Sequence, residues 1–75
     1  MRVLLVEDDG LLGEGLRAGL GQAGFAVDWV RDGSDALHAL ETTPFAAVVL
    51  DLGLPGLSGL AVLRRLRGRG SKIPV

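Results

Sequence analysis

Two apolar runs, RVLLV at 2–6 (apolar after Arg2) and FAAVVL at 45–50, constrain the fold of this chain most strongly. Each run has the length of a β-strand and lacks the alternation of polar and apolar residues that marks a half-buried strand. Strands of this kind belong to parallel sheets that carry helices on both faces. Both runs are therefore expected to be buried on both faces of a parallel sheet.

The segments around these runs alternate between helix and strand. Helices are predicted over 11–24, over 31–44 and after Ser58, with a strand over 25–30 between the first two. Asp32 or Ser34 is the expected N-cap of the second helix, and Ser58 is the expected N-cap of the third. Gly24 and Pro44 are the expected stops of the first and second helices. Three strands in alternation with three helices predict a parallel sheet joined by right-handed βαβ crossovers.

Each predicted helix carries an apolar stripe for packing. The stripes consist of Leu12, Leu16, Leu20 and Ala23, then Ala36, Leu37 and Leu40, and finally Leu60, Leu63 and Leu66. Four glycines inside the first helix, at 13, 15, 19 and 21, weaken it by up to about 1 kcal/mol each relative to alanine. FAVDWV is more mixed in polarity and is expected at a sheet edge, with Trp29 covering one face. His38 is expected at the surface.

Composition narrows the class of protein further. The 75 residues allow one small domain, and the 48% hydrophobic and 23% charged residues indicate a globular chain. Cysteine is absent, which excludes disulfides and thiolate zinc sites and favours a reducing, cytoplasmic compartment. The net charge of −1 provides no field that would recruit nucleic acid or an anionic membrane. No export signal and no apolar stretch of about 20 residues is present for a membrane span.

Acidic residues follow both of the apolar strands. Glu7, Asp8 and Asp9 come directly after the first run, and Asp51 comes directly after the third strand. If these strands are neighbours, the acids converge at their carboxyl ends, where open α/β sheets bind ligands. Clustered carboxylates ionise together only when a cation compensates them, and an all-oxygen set favours Mg²⁺. Such a site also suits a carboxylate that attacks a phosphoryl group. The alternative is a solvated loop that caps the next helix.

Other functions fit the sequence less well. GLLGEG at 10–15 is similar to a dinucleotide-binding loop, but its spacing differs and the acids before it would repel a pyrophosphate. A phosphatase of the haloacid dehalogenase type carries a second acid where this chain has Gly53, and no enzyme is therefore expected. A run of cations near the end of the last helix is expected to be a solvated face rather than a nucleic-acid patch; it comprises Arg64, Arg65, Arg67, Arg69 and Lys72.

Two segments, LLVEDDG at 4–10 and VVLDLGLPGLSG at 48–59, together resemble the receiver domains of two-component response regulators. WVRDGSDAL at 29–37 is similar to regulators whose receiver precedes a winged-helix DNA-binding domain. The resemblance implies a flavodoxin-like (CheY-like) doubly wound fold with strand order 2-1-3. It also implies a cytoplasmic bacterial phosphoprotein that is phosphorylated by a sensor histidine kinase. Such a protein controls transcription through an output domain outside this chain and needs no membrane.

The resemblance also implies roles for individual residues. Asp51 matches the aspartate that accepts the phosphoryl group. Glu7 and Asp8 match the acidic pair that binds Mg²⁺, with Asp8 as a direct ligand and Glu7 acting through water. Gly53 matches the position whose backbone carbonyl completes the metal site. Asp9 lies outside this set and is expected to be a helix N-cap.

The chain departs from the family pattern after its third helix. A receiver domain has five strand–helix pairs, so residues 1–75 are expected to be a partial receiver domain that lacks the last two pairs. The family's hydroxyl and lysine, which contact the phosphoryl group, have no counterpart, because Lys72 precedes the expected fourth strand. The third strand is then expected to be an unpaired apolar edge, which predicts a homo-oligomer, such as a dimer. The alternative function is a self-associating structural fragment without phosphoryl chemistry.

Overall fold

A parallel three-stranded sheet forms the centre of the structure. In the computed structural model, which describes all 75 residues, the strands are β1 (Arg2–Val6), β2 (Ala26–Val30) and β3 (Ala47–Leu50). The helices that follow them are α1 (Gly10–Gln22), α2 (Gly33–Thr42) and α3 (Gly59–Gly68). The strands are ordered β2-β1-β3 and all pair in parallel. The predicted α/β fold and its strand order are confirmed.

The central strand β1 is buried on both faces, as its apolar run predicts. Leu4, Leu5 and Val6 are fully buried. The same prediction is wrong for β3, in which Val48 is buried but Val49 is 38% exposed. The reason is that β3 lies at an edge of this sheet, while α1 packs over β1 and β2. The helix on that face therefore leaves Val49 in contact with solvent.

The main core lies on the sheet face opposite α1. It combines residues of β1 and β3 with residues of α2, α3 and the loop before α3: Leu4, Val6, Val48, Ala36, Val62 and Leu54. On the other face Trp29 packs against Gly13 of α1. The sheet is thus the middle of three layers, with one helix on one side and two on the other, which is a common solution for an α/β domain.

The apolar stripes of α1 and α3 are only partly buried. Leu12 is 52% exposed and Leu60 is 43% exposed, so the predicted burial of these two leucines is wrong. In α3 the predicted burial of Leu66 is confirmed, and the other buried residues are Gly59 and Val62. Successive helix residues are rotated by about 100°, which puts Leu60 on nearly the opposite side of the helix from Val62.

Trp29 explains one of the four glycines inside α1. A Cβ atom at Gly13 would lie 2.2 Å from Cζ2 and 2.5 Å from Cε2 of the Trp29 indole, so the ring lies directly on the helix backbone. Trp29 therefore covers one face of the edge strand, as the sequence predicts. At the other three positions, 15, 19 and 21, a Cβ atom would have no neighbour within 4 Å, and no packing contact requires glycine there.

The segment after α3 lies along the outer side of β3. The Val48 N–H donates to the carbonyl of Pro74 at 2.9 Å, so the predicted fully unpaired edge is wrong at this one position. Residues 71–75 do not form the expected fourth strand. The guanidinium of Arg67 donates to the carbonyls of Ser71 and Ile73, at 3.1 and 2.8 Å. Arg67 thus fixes this segment.

The helix starts agree with the sequence. Asp32, rather than Ser34, caps α2 by accepting from the Asp35 N–H, and Ser58 caps α3 by accepting from the Ala61 N–H. His38 is exposed on α2, as expected. None of the three helices has the length and hydropathy needed to cross a bilayer.

Candidate metal centre

Three of the predicted site residues meet at one edge of the sheet. Glu7 and Asp8 follow β1, Asp51 follows β3, and the last residues of these two parallel strands are paired with each other. One carboxylate oxygen from each acid lies within 4.8 Å of the others. The convergence expected from the sequence is therefore present, because neighbouring parallel strands end at the same edge.

Glu7 is the only buried charged residue, with 7% of its surface exposed. Its Oε1 accepts from the Asp9 N–H at 3.2 Å, and its own N–H donates to the Val30 carbonyl at 3.1 Å. The ion pairs of the structure all lie elsewhere: Arg2–Asp28, Arg17–Glu14 and Arg69–Glu41. A buried carboxylate next to two others, with no ion pair to any of the three, is the environment that a bound cation stabilises.

Asp51 is held through both its backbone and its side chain. Its N–H donates to the Val6 carbonyl at 3.0 Å, which extends the β1–β3 pairing past the end of β3. Its Oδ1 accepts from the Gly53 N–H at 3.0 Å. No protein group donates to Oδ2, and the residue is partly exposed. Asp51 therefore presents one free carboxylate oxygen to solvent.

The loop between β3 and α3 depends on close backbone contacts. A Cβ atom at Gly59 would lie 2.1 Å from the Asp51 carbonyl oxygen, and one at Gly33 would lie 2.2 Å from the Leu57 carbonyl oxygen. Gly56 has a φ of +67°, which favours glycine in the Pro-Gly turn. The contacts of Gly33 and Gly59 were not predicted from the sequence, although glycine at two successive helix starts is a signal of close packing.

Two side chains from the end of β2 bind the acidic loop, and the sequence did not reveal them. Trp29 Nε1 donates to the Glu7 carbonyl at 3.0 Å. Arg31 Nη2 donates to the Asp8 carbonyl at 2.8 Å, and its guanidinium carbon lies 5.6 Å from the centroid of the Trp29 ring. The sequence offers one indication of these contacts: β2 is expected beside β1, so residues at the end of β2 lie at the same edge of the sheet as the acidic loop.

Asp9 is not part of the acidic cluster. Its Oδ1 accepts from the N–H groups of Leu11 and Leu12, at 2.9 and 3.0 Å, and so caps α1. The predicted N-cap is confirmed. The third acid of the loop therefore serves the helix start and leaves Glu7 and Asp8 for the cluster.

The donor set fits a hard divalent cation. Glu7, Asp8 and Asp51 offer carboxylate oxygens, and neither histidine nor cysteine accompanies them. Mg²⁺ is typically held by a few carboxylates together with backbone oxygens and water. These three residues could therefore hold Mg²⁺, and the accessible Oδ2 of Asp51 could act as a nucleophile beside it.

Comparison with known proteins agrees with this geometry. The response regulator receiver domain family matches residues 3–75. Over all 75 residues, the chain is 53% identical to the transcriptional regulatory protein QseB of Haemophilus influenzae and 56% identical to the response regulator protein PmrA of Pseudomonas aeruginosa. The chain covers 34% of each, so it spans about a third of the length of these relatives.

Solved structures show the same fold. The receiver domain of the Francisella response regulator 1452 has a TM-score of 0.95 at 27% identity, over 99% of this chain and 61% of that one. The response regulator TrrA of Thermotoga maritima, solved in complex with Mg(2+)-BeF, has a TM-score of 0.87 at 32% identity, over 91% of this chain and 59% of that one. TrrA has also been solved in complex with the histidine kinase ThkA. This chain belongs to the response regulator receiver domain family.

Proposed function

We propose that this chain is the phosphoryl-accepting part of a transcriptional response regulator, with Asp51 as the acceptor. The observation that carries the proposal is the convergence of Glu7, Asp8 and Asp51, whose carboxylate oxygens lie within 4.8 Å of one another. The position of the cluster, at the carboxyl ends of parallel strands, is where α/β sheets bind their ligands. The similarity to TrrA, which was solved with Mg(2+)-BeF, supports the same interpretation.

In the proposed reaction, Asp51 Oδ2 attacks the phosphorus of a phosphohistidine in the kinase. The new O–P bond forms as the N–P bond breaks, the aspartate becomes an acyl phosphate, and the imidazole that leaves takes a proton from solvent. The Gly53 N–H holds Oδ1, which orients the carboxylate and leaves Oδ2 for the attack. Bound Mg²⁺ would neutralise the phosphoryl oxygens that otherwise repel the nucleophile.

The metal ligands in this proposal differ in their roles. Asp8 and Asp51 would hold Mg²⁺ directly, Gly53 would contribute its backbone carbonyl, and Glu7 would act through water. The indirect role of Glu7 is supported by its burial and by the Asp9 N–H that already occupies its Oε1. Glu7 would thus supply negative charge and orient a metal-bound water without entering the coordination sphere.

The test is incubation with Mg²⁺ and a small phosphodonor or beryllofluoride, read by intact mass and by NMR at Asp51. We expect an adduct that requires Mg²⁺ and is abolished in Asp51→Asn. Asp9→Asn is the matched control, because it also removes one acid from the loop but retains a side-chain oxygen that can cap α1. Absence of both an adduct and a Mg²⁺-dependent shift would refute phosphoryl acceptance.

We further propose that the chain is the N-terminal part of a longer cytoplasmic regulator that is controlled by a sensor histidine kinase and binds DNA through an output domain. The support is the 34% share of QseB and PmrA that the chain covers, together with the complex of TrrA and ThkA. In such a regulator, residues 1–75 would be a partial receiver domain: they would form its first three strand–helix pairs, and the last two pairs are not among these residues. Phosphotransfer from candidate kinases to Asp51, and its loss in Asp51→Asn, would test the kinase partner.

The 75-residue chain by itself is proposed to form a homo-oligomer through the outer edge of β3. Pro74 supplies the only hydrogen-bond partner on that side of the strand, and Val49 is 38% exposed. Edges of this kind tend to pair with a second chain. Analytical ultracentrifugation should detect a dimer or larger species, whereas a monodisperse monomer would contradict the proposal. A dimer without any phosphoryl adduct would favour a structural fragment.

A further inference from the structure

The two donors from the end of β2 hold consecutive peptide units of the acidic loop. The Trp29 indole binds the carbonyl of Glu7, and the Arg31 guanidinium binds the carbonyl of Asp8. These carbonyls belong to the same two residues whose side chains enter the acidic cluster. The donors of these two hydrogen bonds come from the end of β2, and the acceptors lie at the end of β1. The loop backbone therefore cannot rotate without breaking one of the two hydrogen bonds.

We propose that Trp29 and Arg31 are positioning residues that hold the acidic loop in the conformation in which Glu7 and Asp8 meet Asp51. This inference rests on the proposed function insofar as the cluster binds Mg²⁺. Neither side chain is a ligand in this proposal, since each acts on a backbone carbonyl. Their effect is to remove conformational freedom from the loop before the cation arrives, so that less order has to be created on binding.

Trp29 is itself rigidly held. Its ring packs on the backbone of α1 at Gly13 and lies beneath the guanidinium of Arg31. The indole N–H is therefore presented at a fixed place next to the end of β1. A flexible donor would bind the same carbonyl with a larger loss of conformational entropy. The packing of the ring at Gly13 therefore strengthens the hold of Trp29 on the loop.

Arg31 contributes its charge without neutralising the site. It takes part in no ion pair, and its guanidinium hydrogen-bonds the carbonyl of Asp8 rather than a carboxylate. A cation that paired with the carboxylates would compete with Mg²⁺ for them. By binding the backbone, Arg31 orders the loop and leaves the carboxylate oxygens available.

The test compares Trp29→Phe with the unmodified chain. Phenylalanine keeps an aromatic ring against Gly13 but loses the Nε1 donor, and the net charge is unchanged. We expect the affinity for Mg²⁺, measured by NMR titration of the loop amides, to fall about three- to tenfold, as for the loss of one hydrogen bond. Leu40→Ala is the control: it removes packing from the core on the opposite sheet face and should leave the affinity unchanged in folded protein.

A second readout requires no metal. Amide hydrogen exchange at Asp9, Leu11 and Leu12 should be faster in Trp29→Phe, while exchange in α2 stays the same. Arg31→Met should accelerate exchange at Asp9, and Arg31→Lys, which retains a donor and the charge, should accelerate it less. The comparison between the two Arg31 variants separates the loss of the tether from a general loss of stability.

The outcomes distinguish the inference from the proposed function. An unchanged Mg²⁺ affinity in Trp29→Phe, or a fall no larger than that in Leu40→Ala, would overturn the positioning role even if the site binds metal. If the unmodified chain binds no Mg²⁺, the metal site of the proposed function is refuted. The positioning role of Trp29 and Arg31 is then tested by hydrogen exchange alone. In that case unchanged exchange of the loop amides in Trp29→Phe would overturn the inference, and faster exchange would support it.

Discussion

Gly13→Ala is expected to destabilise the fold, although alanine is the better helix former. A Cβ atom at this position would lie 2.2 Å from Cζ2 of Trp29 and 2.9 Å from Nε1, well inside van der Waals contact. The indole is held by its bond to the Glu7 carbonyl and by Arg31, so it is not the free end of a flexible side chain. Either the ring or α1 has to move.

The size of the effect follows from opposing contributions. Replacing glycine in a helix interior gains up to about 1 kcal/mol. Overpacking of this kind costs about 1–3 kcal/mol, and displacement of the indole loses a hydrogen bond of about 0.5–1.5 kcal/mol. The free energy of unfolding should therefore fall by about 0.5–3.5 kcal/mol. At about 4–8 °C per kcal/mol for a domain of this size, that corresponds to a decrease in Tm of roughly 2–28 °C.

Gly19→Ala provides the matched control in the same helix. Nothing lies within 4 Å of its Cβ position, so only the helix propensity changes and the free energy of unfolding should rise by about 0.5–1 kcal/mol. Urea unfolding followed by circular dichroism measures both variants, and Trp29 fluorescence reports the displaced ring. If Gly13→Ala were as stable as Gly19→Ala, the packing of Trp29 on α1 would be refuted.

Three further predictions concern the site. Gly59→Ala should lower the free energy of unfolding by about 1–3 kcal/mol and shift the NMR signals of Asp51, because its Cβ would lie 2.1 Å from the Asp51 carbonyl oxygen. An unchanged spectrum would contradict this close contact. Asp9→Ala should lose about 0.5–2 kcal/mol of stability in urea unfolding through the missing N-cap of α1, while Asp9→Asn should lose much less. Mg²⁺ at about 100 times its Kd should stabilise the chain by about 2.7 kcal/mol in thermal unfolding, and Asp51→Asn should weaken this response.

The parts of the fold that could be predicted are those with a local physical cause. Asp9 and Ser58 were recognisable as caps, since a short polar side chain directly before a helical pattern satisfies the first free N–H groups. The run over residues 3–6 of β1 indicated a strand buried on both faces, because none of these four residues is polar. The convergence of Glu7 and Asp51 then followed from the rule that parallel strands end at one edge.

Expectations about burial were less reliable, because burial depends on what lies opposite. Val49 has the same apolar character as Val48, yet it is exposed because α1 does not extend over β3. Leu12 and Leu60 belong to regular apolar stripes, but the neighbouring elements contact other positions of their helices. Periodicity indicates that a helix has an apolar face without specifying which residues its partner covers.

The sequence by itself determined the order of the elements, their caps and the identity of the clustered acids, because each depends on short-range pattern or on the topology that such patterns allow. Only the tertiary structure revealed that Trp29 and Arg31 hold the carbonyls of Glu7 and Asp8, and that Gly13 is required by the indole. These contacts join residues that are far apart in the chain. Their existence depends on side-chain directions that become defined only when α1 and β2 pack together.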